Sequence, residues 1–324
     1  MNKINVGIVG YGNLGRGVEV GLKNHPDMNL VGIFSRRDPK SLDTKAPAYL
    51  YDDILDFKDA IDVLILCGGS KRDIPEQGPA LAKHFNTVDS FDNHAMVADY
   101  YNEMDPIAKE NNTVSVVATG WDPGLFSINR LFQETVLPDG DSYTFWGRGV
   151  SQGHSDAVRS VPGVKEGIQY TVPDEMMIRQ IQAGEKVNYN KKEAHEREVY
   201  VVLEDDADPN EVEKIIQEMP DYFEGYQTSV NVISEEEFER DHQNMLHGGR
   251  VIRQGNTSAD IQSVVEFSLD LGSNPEFTAA VSIVYARAAY RLAKEKQYGA
   301  HTVIEIPPYY LSTRSKEDLM RDLL

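Results

Sequence analysis

Ile4-Asn5-Val6-Gly7-Ile8-Val9 runs directly into Gly10-Tyr11-Gly12-Asn13-Leu14-Gly15. An apolar strand, then G-x-G-x-x-G, then a helical pattern over 16–24 predicts the first βα unit of a doubly wound, dinucleotide-binding sheet. Gly10 permits the tight turn. Gly12 removes a side chain where backbone must approach a pyrophosphate, and Gly15 lets helix and strand pack closely. The phosphates are expected on the free N–H groups of the helix N-terminus, with Asn13 and Leu14 inside the same turn. The glycine pattern alone is a weak signal. Its flanks, and a second apolar strand at 29–34, make it specific.

The residues after that second strand bear on the cofactor. An NAD site would place Asp or Glu there for the ribose 2′-hydroxyl. This chain has Ser35-Arg36-Arg37. Two guanidiniums and a hydroxyl suit a 2′-phosphate, because arginine offers planar, paired donors to phosphate oxygens. The reading is therefore NADP. The plainer alternative is a solvated loop end.

A chain of 324 residues allows two domains and a sizeable core. Its net charge of -20 repels nucleic acid and anionic membranes, so neither is expected as a partner. The single cysteine, Cys67, excludes an intramolecular disulfide and a cysteine-based zinc site, and suits a reducing compartment. No stretch approaches the apolar length of a membrane span, and the first residues read as a core strand rather than a leader. A cytoplasmic enzyme is the class expected.

Residues 1–120 alternate apolar runs with helical patterns, as βαβ units do. Strands are predicted at 4–9, 29–34, 62–67, 86–89 and 113–118, with helices at 75–84 and 94–111. Gly68-Gly69-Ser70 follows the third strand, where a doubly wound sheet presents loops to its ligand. Beyond the turn cluster Gly120-Trp121-Asp122-Pro123-Gly124 the texture changes. A helix is predicted at 126–135. Strands at 165–172, 198–204 and 226–233 suggest a second, mixed sheet, and acidic helices are predicted at 210–218 and 234–240. The segments 145–149 and 151–156 read as glycine-rich functional loops. An apolar helix over 275–295 is expected to pack back on the first domain, and 302–311 reads as extended. The fold class is α/β: a Rossmann-type nucleotide-binding domain, 1–120 with 275–324, and an inserted α+β region, 121–274.

Asp89-Ser90-Phe91-Asp92-Asn93-His94 and Gly120-Trp121-Asp122-Pro123-Gly124 follow the fourth and fifth strands. Both fall at the carboxyl edge of the sheet, where the nicotinamide belongs. Paired carboxylates there can hold a substrate ammonium or accept protons during amine oxidation. Alternatively, Asp92 and Asp122 cap the helices that follow. Asn93 and Pro123 join the cofactor side of the same clusters. His154, Asp156 and His247 lie in glycine-flanked segments and read equally well as turn residues. No H-E-x-x-H or paired-histidine spacing occurs, so no metal is expected. No G-x-S-x-G elbow occurs either.

Long stretches of the chain resemble the meso-diaminopimelate D-dehydrogenase family. They include Val9 to Arg16, Gly32-Ile33-Phe34-Ser35-Arg36-Arg37, Asp73-Ile74-Pro75-Glu76-Gln77, Asp92-Asn93-His94 and Thr119 to Gly124. Phe145-Trp146-Gly147, Ser151-Gln152-Gly153-His154-Ser155-Asp156-Ala157 and Met219-Pro220-Asp221-Tyr222-Phe223 extend the likeness to nearly the whole chain. The resemblance implies NADP-dependent oxidative deamination of the D-centre of meso-2,6-diaminopimelate. The products are L-2-amino-6-oxopimelate, which cyclises to tetrahydrodipicolinate, ammonia and NADPH. The reaction is reversible and belongs to lysine biosynthesis. It also implies a homodimer, with 121–274 serving substrate binding and dimerisation.

By the same resemblance Asp92 and Asp122 flank the reacting carbon, and Trp121, Phe145 and Trp146 wall the pocket. Gln152, Gly153 and Asp156 belong to a loop closing over substrate. Thr171, Arg197 and His247, with Asn274, bind the distal carboxylate. A dihydrodipicolinate-reductase-like enzyme would need a basic, glycine-rich substrate loop, and none is present. A non-enzymatic NADPH sensor would have no use for Asp92, Asp122 and Arg197 together.

Overall fold

The computed structural model describes residues 3–220, 222–259 and 261–324. Of the motifs above, Asp221 lies outside the described residues. The chain begins with β1 (Ile4–Val9), α1 (Asn13–Leu22), β2 (Met28–Ser35), β3 (Ala48–Leu50), β4 (Val63–Leu66), α2 (Asp73–Ala82), β5 (Asn86–Asp89), α3 (Val97–Asn111) and β6 (Val114–Val116). It continues with α4 (Leu125–Val136), β7 (Asp139–Trp146), β8 (Gly149–Val150), α5 (Gln152–Arg159), β9 (Val164–Pro173), α6 (Glu175–Gln182) and β10 (His195–Leu203). Then come α7 (Pro209–Gln217), β11 (Gln227–Val232), α8 (Glu235–Asp241), β12 (His247–Ser258) and β13 (Ile261–Leu271). The chain ends with α9 (Asn274–Lys294), β14 (Gly299–His301) and α10 (Lys316–Leu323).

Two compact units result, 1–128 with 275–324, and 129–274. The first holds a seven-stranded sheet in the order β14-β6-β5-β4-β1-β2-β3. Every pairing in it is parallel. Strand order reverses between β1 and β4, which opens a crevice at their carboxyl ends. These strands are continuous apolar runs, as β4 shows with Val-Leu-Ile-Leu fully buried, because helices cover both faces. The fold is therefore α/β and Rossmann-type, with an inserted second unit.

Helix α9 belongs to the first unit's core. Ala279, Ile283 and Ala286 pack in one cluster with Ile8 and Val18. A Cβ on Gly17 of α1 would stand 3.0 Å from the Ala279 Cβ, so the two helices meet with almost nothing between them. Near the other end of α9, Arg287 is 1% exposed and fully engaged. Its Nε and Nη2 donate to Asp27 at 2.7 and 2.9 Å, and its Nη1 donates to the Leu311 carbonyl at 2.6 Å. Nη2 also lies 3.0 Å from His25 Nδ1. These bonds hold Asp27 below the usual carboxylate range, and burial holds His25 low.

The second unit carries two sheets. One has the order β11-β10-β9-β8, with β10–β11 parallel and the other pairs antiparallel. The other is the antiparallel β13-β12-β7. The sequence pattern predicts no element over 247–271, yet the β12–β13 hairpin fills it. Charged and polar residues on the exposed face of β13 dilute its alternation.

Several local expectations are corrected. Phe145 and Trp146 end strand β7 rather than opening a loop. Residues 152–156 form the first turns of α5, where Ser151 is the N-cap residue and its carbonyl accepts from Ser155 N–H at 3.0 Å. The third helix begins at Val97, not at 94. The tail at 302–311 is not extended: a Thr302 turn bonded to Glu305 leads to a 3₁₀ turn at Pro308–Leu311.

Replacing Arg287 with alanine removes the buried partner of a half-buried ion pair and two charge-assisted bonds to Asp27. The expected loss is about 1.5–3 kcal/mol of unfolding free energy, read by urea denaturation. A loss under ~1 kcal/mol would show that the pair does not fasten α9 to the sheet.

Candidate active site

The turn after β1 is built by contact. Gly10 has φ +88 and its N–H donates to the Phe34 carbonyl of β2 at 2.8 Å. A Cβ on Gly15 would stand 2.3 Å from the Gly10 carbonyl oxygen, so any side chain there would push α1 off its turn. Around Gly12 the situation is opposite: an added Cβ would meet no protein atom within 4 Å. The first turn of α1, containing Asn13 and Leu14, carries no acidic residue. Open space, a helix N-terminus and no acidic residue in its first turn fit a pyrophosphate at this position.

The end of β2 stands beside that turn. Ser35 is buried and its Oγ accepts from the Arg37 N–H at 3.1 Å. Arg37 donates to the Tyr11 carbonyl. Arg36, two-thirds exposed, pairs with Asp73 at 2.6 Å. The other Asp73 oxygen accepts from Gly69 N–H at 2.9 Å, which ties Arg36 to the Gly68-Gly69-Ser70 segment. No acidic side chain follows β2 before Asp38, whose carboxylate accepts from Lys40 N–H. The donors present suit a nucleotide 2′-phosphate.

The next strand ends carry the two acidic segments. Asp92 lies on the exposed stretch after β5, and its N–H donates to Ser70 Oγ at 3.3 Å. Its neighbour Asn93 is also exposed. Asp92 caps no helix, because α3 starts from Met96 with no side-chain cap. After β6, Trp121 is buried and meets Phe126 edge-on at 5.2 Å. Asp122 and Pro123 beside it are half-buried.

In the second unit, strand register gathers the residues. Gly149, Thr171, Arg197 and Thr228 stand side by side across β8, β9, β10 and β11. Arg197 is 7% exposed. Its Nη1 donates to Thr171 Oγ1, and its guanidinium lies 4.2 Å from the centre of the Tyr226 ring. Its Nε has no partner, and among the described residues no carboxylate pairs with it. Gln169, two residues before Thr171 on the same face, is fully buried with Oε1 unpartnered. A buried guanidinium without a counter-ion is costly unless a ligand anion completes it.

Two histidines near this charge are held neutral. His195 shares the Arg197 face of β10. Its Nε2 accepts from the Trp146 N–H at 3.0 Å and its Nδ1 lies 2.8 Å from the Lys191 carbonyl, which assigns the proton to Nδ1. Burial, with Arg197 adding to it, pushes His195 down to about 4. His154 on α5 is pushed down to about 4 by burial and by Arg197. Its Nδ1 is 2.8 Å from Ser151 Oγ, and its ring meets Tyr222 edge-on at 5.3 Å.

The other predicted residues are placed as follows. Phe145 is fully buried and packs on Tyr189 and His195, while Trp146 is half-exposed with Lys191 4.5 Å from its ring centre. Gln152 donates to Met245 Sδ at 3.2 Å, Gly153 has open space around it, and Asp156 pairs with Arg159 on the exposed side of α5. His247 opens β12, buried beneath Gly149, with burial holding its imidazole below the usual range. Asn274 opens α9, its N–H donating to the Met245 carbonyl at 2.9 Å. His195 and Gln169 were missed as site residues. Their only signal was alternation with Arg197 and Thr171 along two strands. Among the described residues, no group of three His, Cys, Asp or Glu could hold a metal ion.

A nucleotide cradle in one unit and a buried, unpaired guanidinium in the other define a nucleotide-dependent enzyme acting on an anionic substrate. Residues 120–273 match the Diaminopimelic acid dehydrogenase C-terminal domain. The meso-diaminopimelate D-dehydrogenase of Ureibacillus thermosphaericus is 52% identical, with 100% of each chain covered. The structure of C. glutamicum DAP dehydrogenase in complex with DAP is 46% identical over 100% of both chains, with a TM-score of 0.94. An engineered D-amino acid dehydrogenase bound to NADP+ is 44% identical over 100% of both chains, with a TM-score of 0.89. This chain belongs to the meso-diaminopimelate D-dehydrogenase family.

Two expectations follow from the geometry. Gly12→Ala should fold with stability within ~0.5 kcal/mol of the parent, since the Cβ meets nothing, yet weaken NADP binding at least about tenfold. Equal binding by titration of NADPH fluorescence would remove Gly12 from the cradle. The second concerns pH. The folded-state values of His154 and His195 lie below the ordinary ~6.5, so their contribution to stability is present above ~6.5 and lost as pH falls toward about 4. The stability advantage of the parent over His195→Gln should therefore narrow from pH 7 to pH 4.5 in urea titrations. A difference constant across that window would mean His195 is not held neutral.

Proposed function

We propose that this chain oxidises the D-configured carbon of meso-2,6-diaminopimelate with NADP, yielding L-2-amino-6-oxopimelate, ammonia and NADPH. The observation that carries the substrate assignment is Arg197, a buried cation that pairs with no carboxylate among the described residues. A substrate with a second carboxylate completes it; a simple D-amino acid does not. Thr171, already bonded to the same guanidinium, adds a hydroxyl, and neutral His247 and Asn274 add further polar groups. The guanidinium also lies against Tyr226, which leaves its edge for a planar carboxylate.

The cofactor supplies one thing, an acceptor for the hydride. The chain's residues do the rest. Holding the distal, L-configured end fixes which carbon is presented for oxidation, so binding is converted into orientation. Hydride leaves only from a neutral amine, so a carboxylate must first take the ammonium proton; Asp92 and Asp122 are the pair assigned to that work. Loss of the hydride leaves an imine, water adds to it, and ammonia departs. The second aspartate of the pair accepts the proton from that water. In the second unit Trp146, with Phe145 beside it, and the Gln152, Gly153 and Asp156 segment are assigned to substrate by the family resemblance, as is Trp121 in the first. Gly10, Gly12, Asn13, Leu14 and Gly15 hold the pyrophosphate, Ser35, Arg36 and Arg37 the 2′-phosphate, and Gly68, Gly69, Ser70, Asn93 and Pro123 the remaining nucleotide edge.

The place of such a reaction is lysine biosynthesis, in the cytoplasm. A homodimer without nucleic-acid partners fits the net charge of -20 and the exposed Leu131, Phe132 and Val136 on α4. No helix among the described residues is long and apolar enough to cross a membrane.

The direct test is NADPH formation on adding meso-, LL- and DD-diaminopimelate separately. Activity with the meso isomer and none with LL is expected; equal rates with meso and LL would overturn the D-centre assignment. Arg197→Met should then depress kcat/KM for meso-diaminopimelate by several kcal/mol of transition-state binding, order of magnitude ~3. It should also narrow the gap to a D-amino acid with an apolar side chain, for which the guanidinium is an unpaired charge. An unchanged ratio of the two efficiencies would place Arg197 outside the distal site.

A further inference from the structure

Asp89 is the last residue of β5, with no exposed surface. Its Oδ1 accepts two backbone N–H groups at 3.0 Å, from Phe91 and from Ala118. Its Oδ2 accepts the Tyr100 hydroxyl of α3 at 3.0 Å. Its carbonyl accepts both the N–H and the Oγ1–H of Thr119 at 2.8 Å. Phe91 belongs to the segment carrying Asp92, and Ala118 and Thr119 to the segment carrying Trp121 and Asp122. One oxygen therefore binds both segments. Ala118 sits at φ +57, a conformation a residue with a Cβ rarely holds without outside support.

We propose that Asp89 is a positioning residue of the reaction, fixing the Asp92 segment and the Trp121–Asp122 segment to each other through Oδ1. This rests on the assignment of Asp92 and Asp122 to the reacting centre. If filling the core were the only task, an apolar residue would fill this site at lower cost, since a buried carboxylate must be compensated by its donors. Desolvation pushes the Asp89 carboxyl up to about 6, while the Phe91 and Ala118 bonds pull it down. Ser70 continues the stitch toward β4: its Oγ donates to the Ser90 carbonyl at 3.4 Å and accepts from Asp92 N–H at 3.3 Å. The ends of β4, β5 and β6 are thus joined one to the next at the carboxyl edge.

The bonding pattern selects the variants. In Asp89→Asn the amide oxygen can occupy the Oδ1 place and keep both segment bonds, while the NH₂ donates to Tyr100, whose oxygen can accept. Asp89→Ala loses both segment bonds. Tyr100→Phe removes only the Oδ2 partner. With meso-diaminopimelate and NADP, Asp89→Ala should lower kcat on the order of 100-fold, the scale of a misplaced reacting group, with KM for NADP changed less than about threefold. Asp89→Asn and Tyr100→Phe should each hold kcat within about threefold, even where Tm falls.

An Asn variant as impaired as the Ala variant would show that charge, not the bond geometry, matters, and would overturn the proposal. So would a Tyr100→Phe variant that loses kcat as Asp89→Ala does, because turnover would then merely follow stability. If Asp89→Ala does not fold, Asp89→Leu, which fills the site but accepts neither the Phe91 nor the Ala118 N–H, should lower kcat at least about threefold, and parental kcat there would overturn it. Asp122→Asn separates this inference from the one beneath it. Parental turnover in Asp122→Asn defeats the reacting-centre assignment; impaired Asp122→Asn beside parental Asp89→Ala defeats the positioning role alone.

Discussion

A guanidinium held out of water, with no counter-ion among the described residues, is the constraint around which the second unit is organised. Arg197 stands in the middle of a four-stranded sheet, flanked by Thr171 on one side and Thr228 on the other. Neither neighbour carries charge. The desolvation of an isolated cation is tolerable only where a ligand restores an anion. The two histidines nearest Arg197 add no positive charge of their own. His195 donates from Nδ1 and accepts at Nε2, so its neutral form is fully bonded before any proton could add. His154 is driven neutral by burial and by the same guanidinium. The unit therefore keeps both histidines beside Arg197 neutral over the ordinary pH range, and the positive charge around the guanidinium comes from the Lys191 and Lys192 ammonium groups over the Trp146 and Tyr226 rings.

The first unit works by the opposite means. It exposes no buried charge to its nucleotide, but offers empty backbone. Gly12 has open space about it, whereas Gly15 is pressed to the Gly10 carbonyl. The two glycines look identical in the motif and do different things. One is absent to admit a ligand, the other to let α1 seat on β1. Only the pair together gives a helix N-terminus that is both rigid and accessible.

These contrasts explain what could be read from the chain. The β1–turn–α1 unit, β2 and the Ser35-Arg36-Arg37 end are local, so sequence order carries them. The placement of Asp92 and Asp122 after β5 and β6 was legible for the same reason: each follows a strand of a parallel sheet, and such strands point their carboxyl ends one way. Thr171 and Arg197 are 26 residues apart and meet only through antiparallel register, which spacing does not encode. Resemblance to a family named them; composition did not. The β12–β13 hairpin escaped because one face is solvated, and α5 escaped because Gly153 and its polar neighbours mimic a loop. Asp89 was in plain view beside Asp92, three residues away, but the exposed aspartate drew the functional reading.

Asp89 and Arg197 give a general way to separate two kinds of buried charge. Both are nearly out of solvent. Asp89 has a protein donor at each oxygen, two on Oδ1 and one on Oδ2, so nothing remains for a ligand to do. Arg197 keeps an unpartnered Nε and pairs with no carboxylate among the described residues. A charge whose bonds close within the chain acts on the chain's own geometry; a charge whose bonds do not close acts on what binds. Counting satisfied donors and acceptors separates the two, in line with the positioning role proposed for Asp89 and the recognition role proposed for Arg197, although burial alone would have placed them in one class.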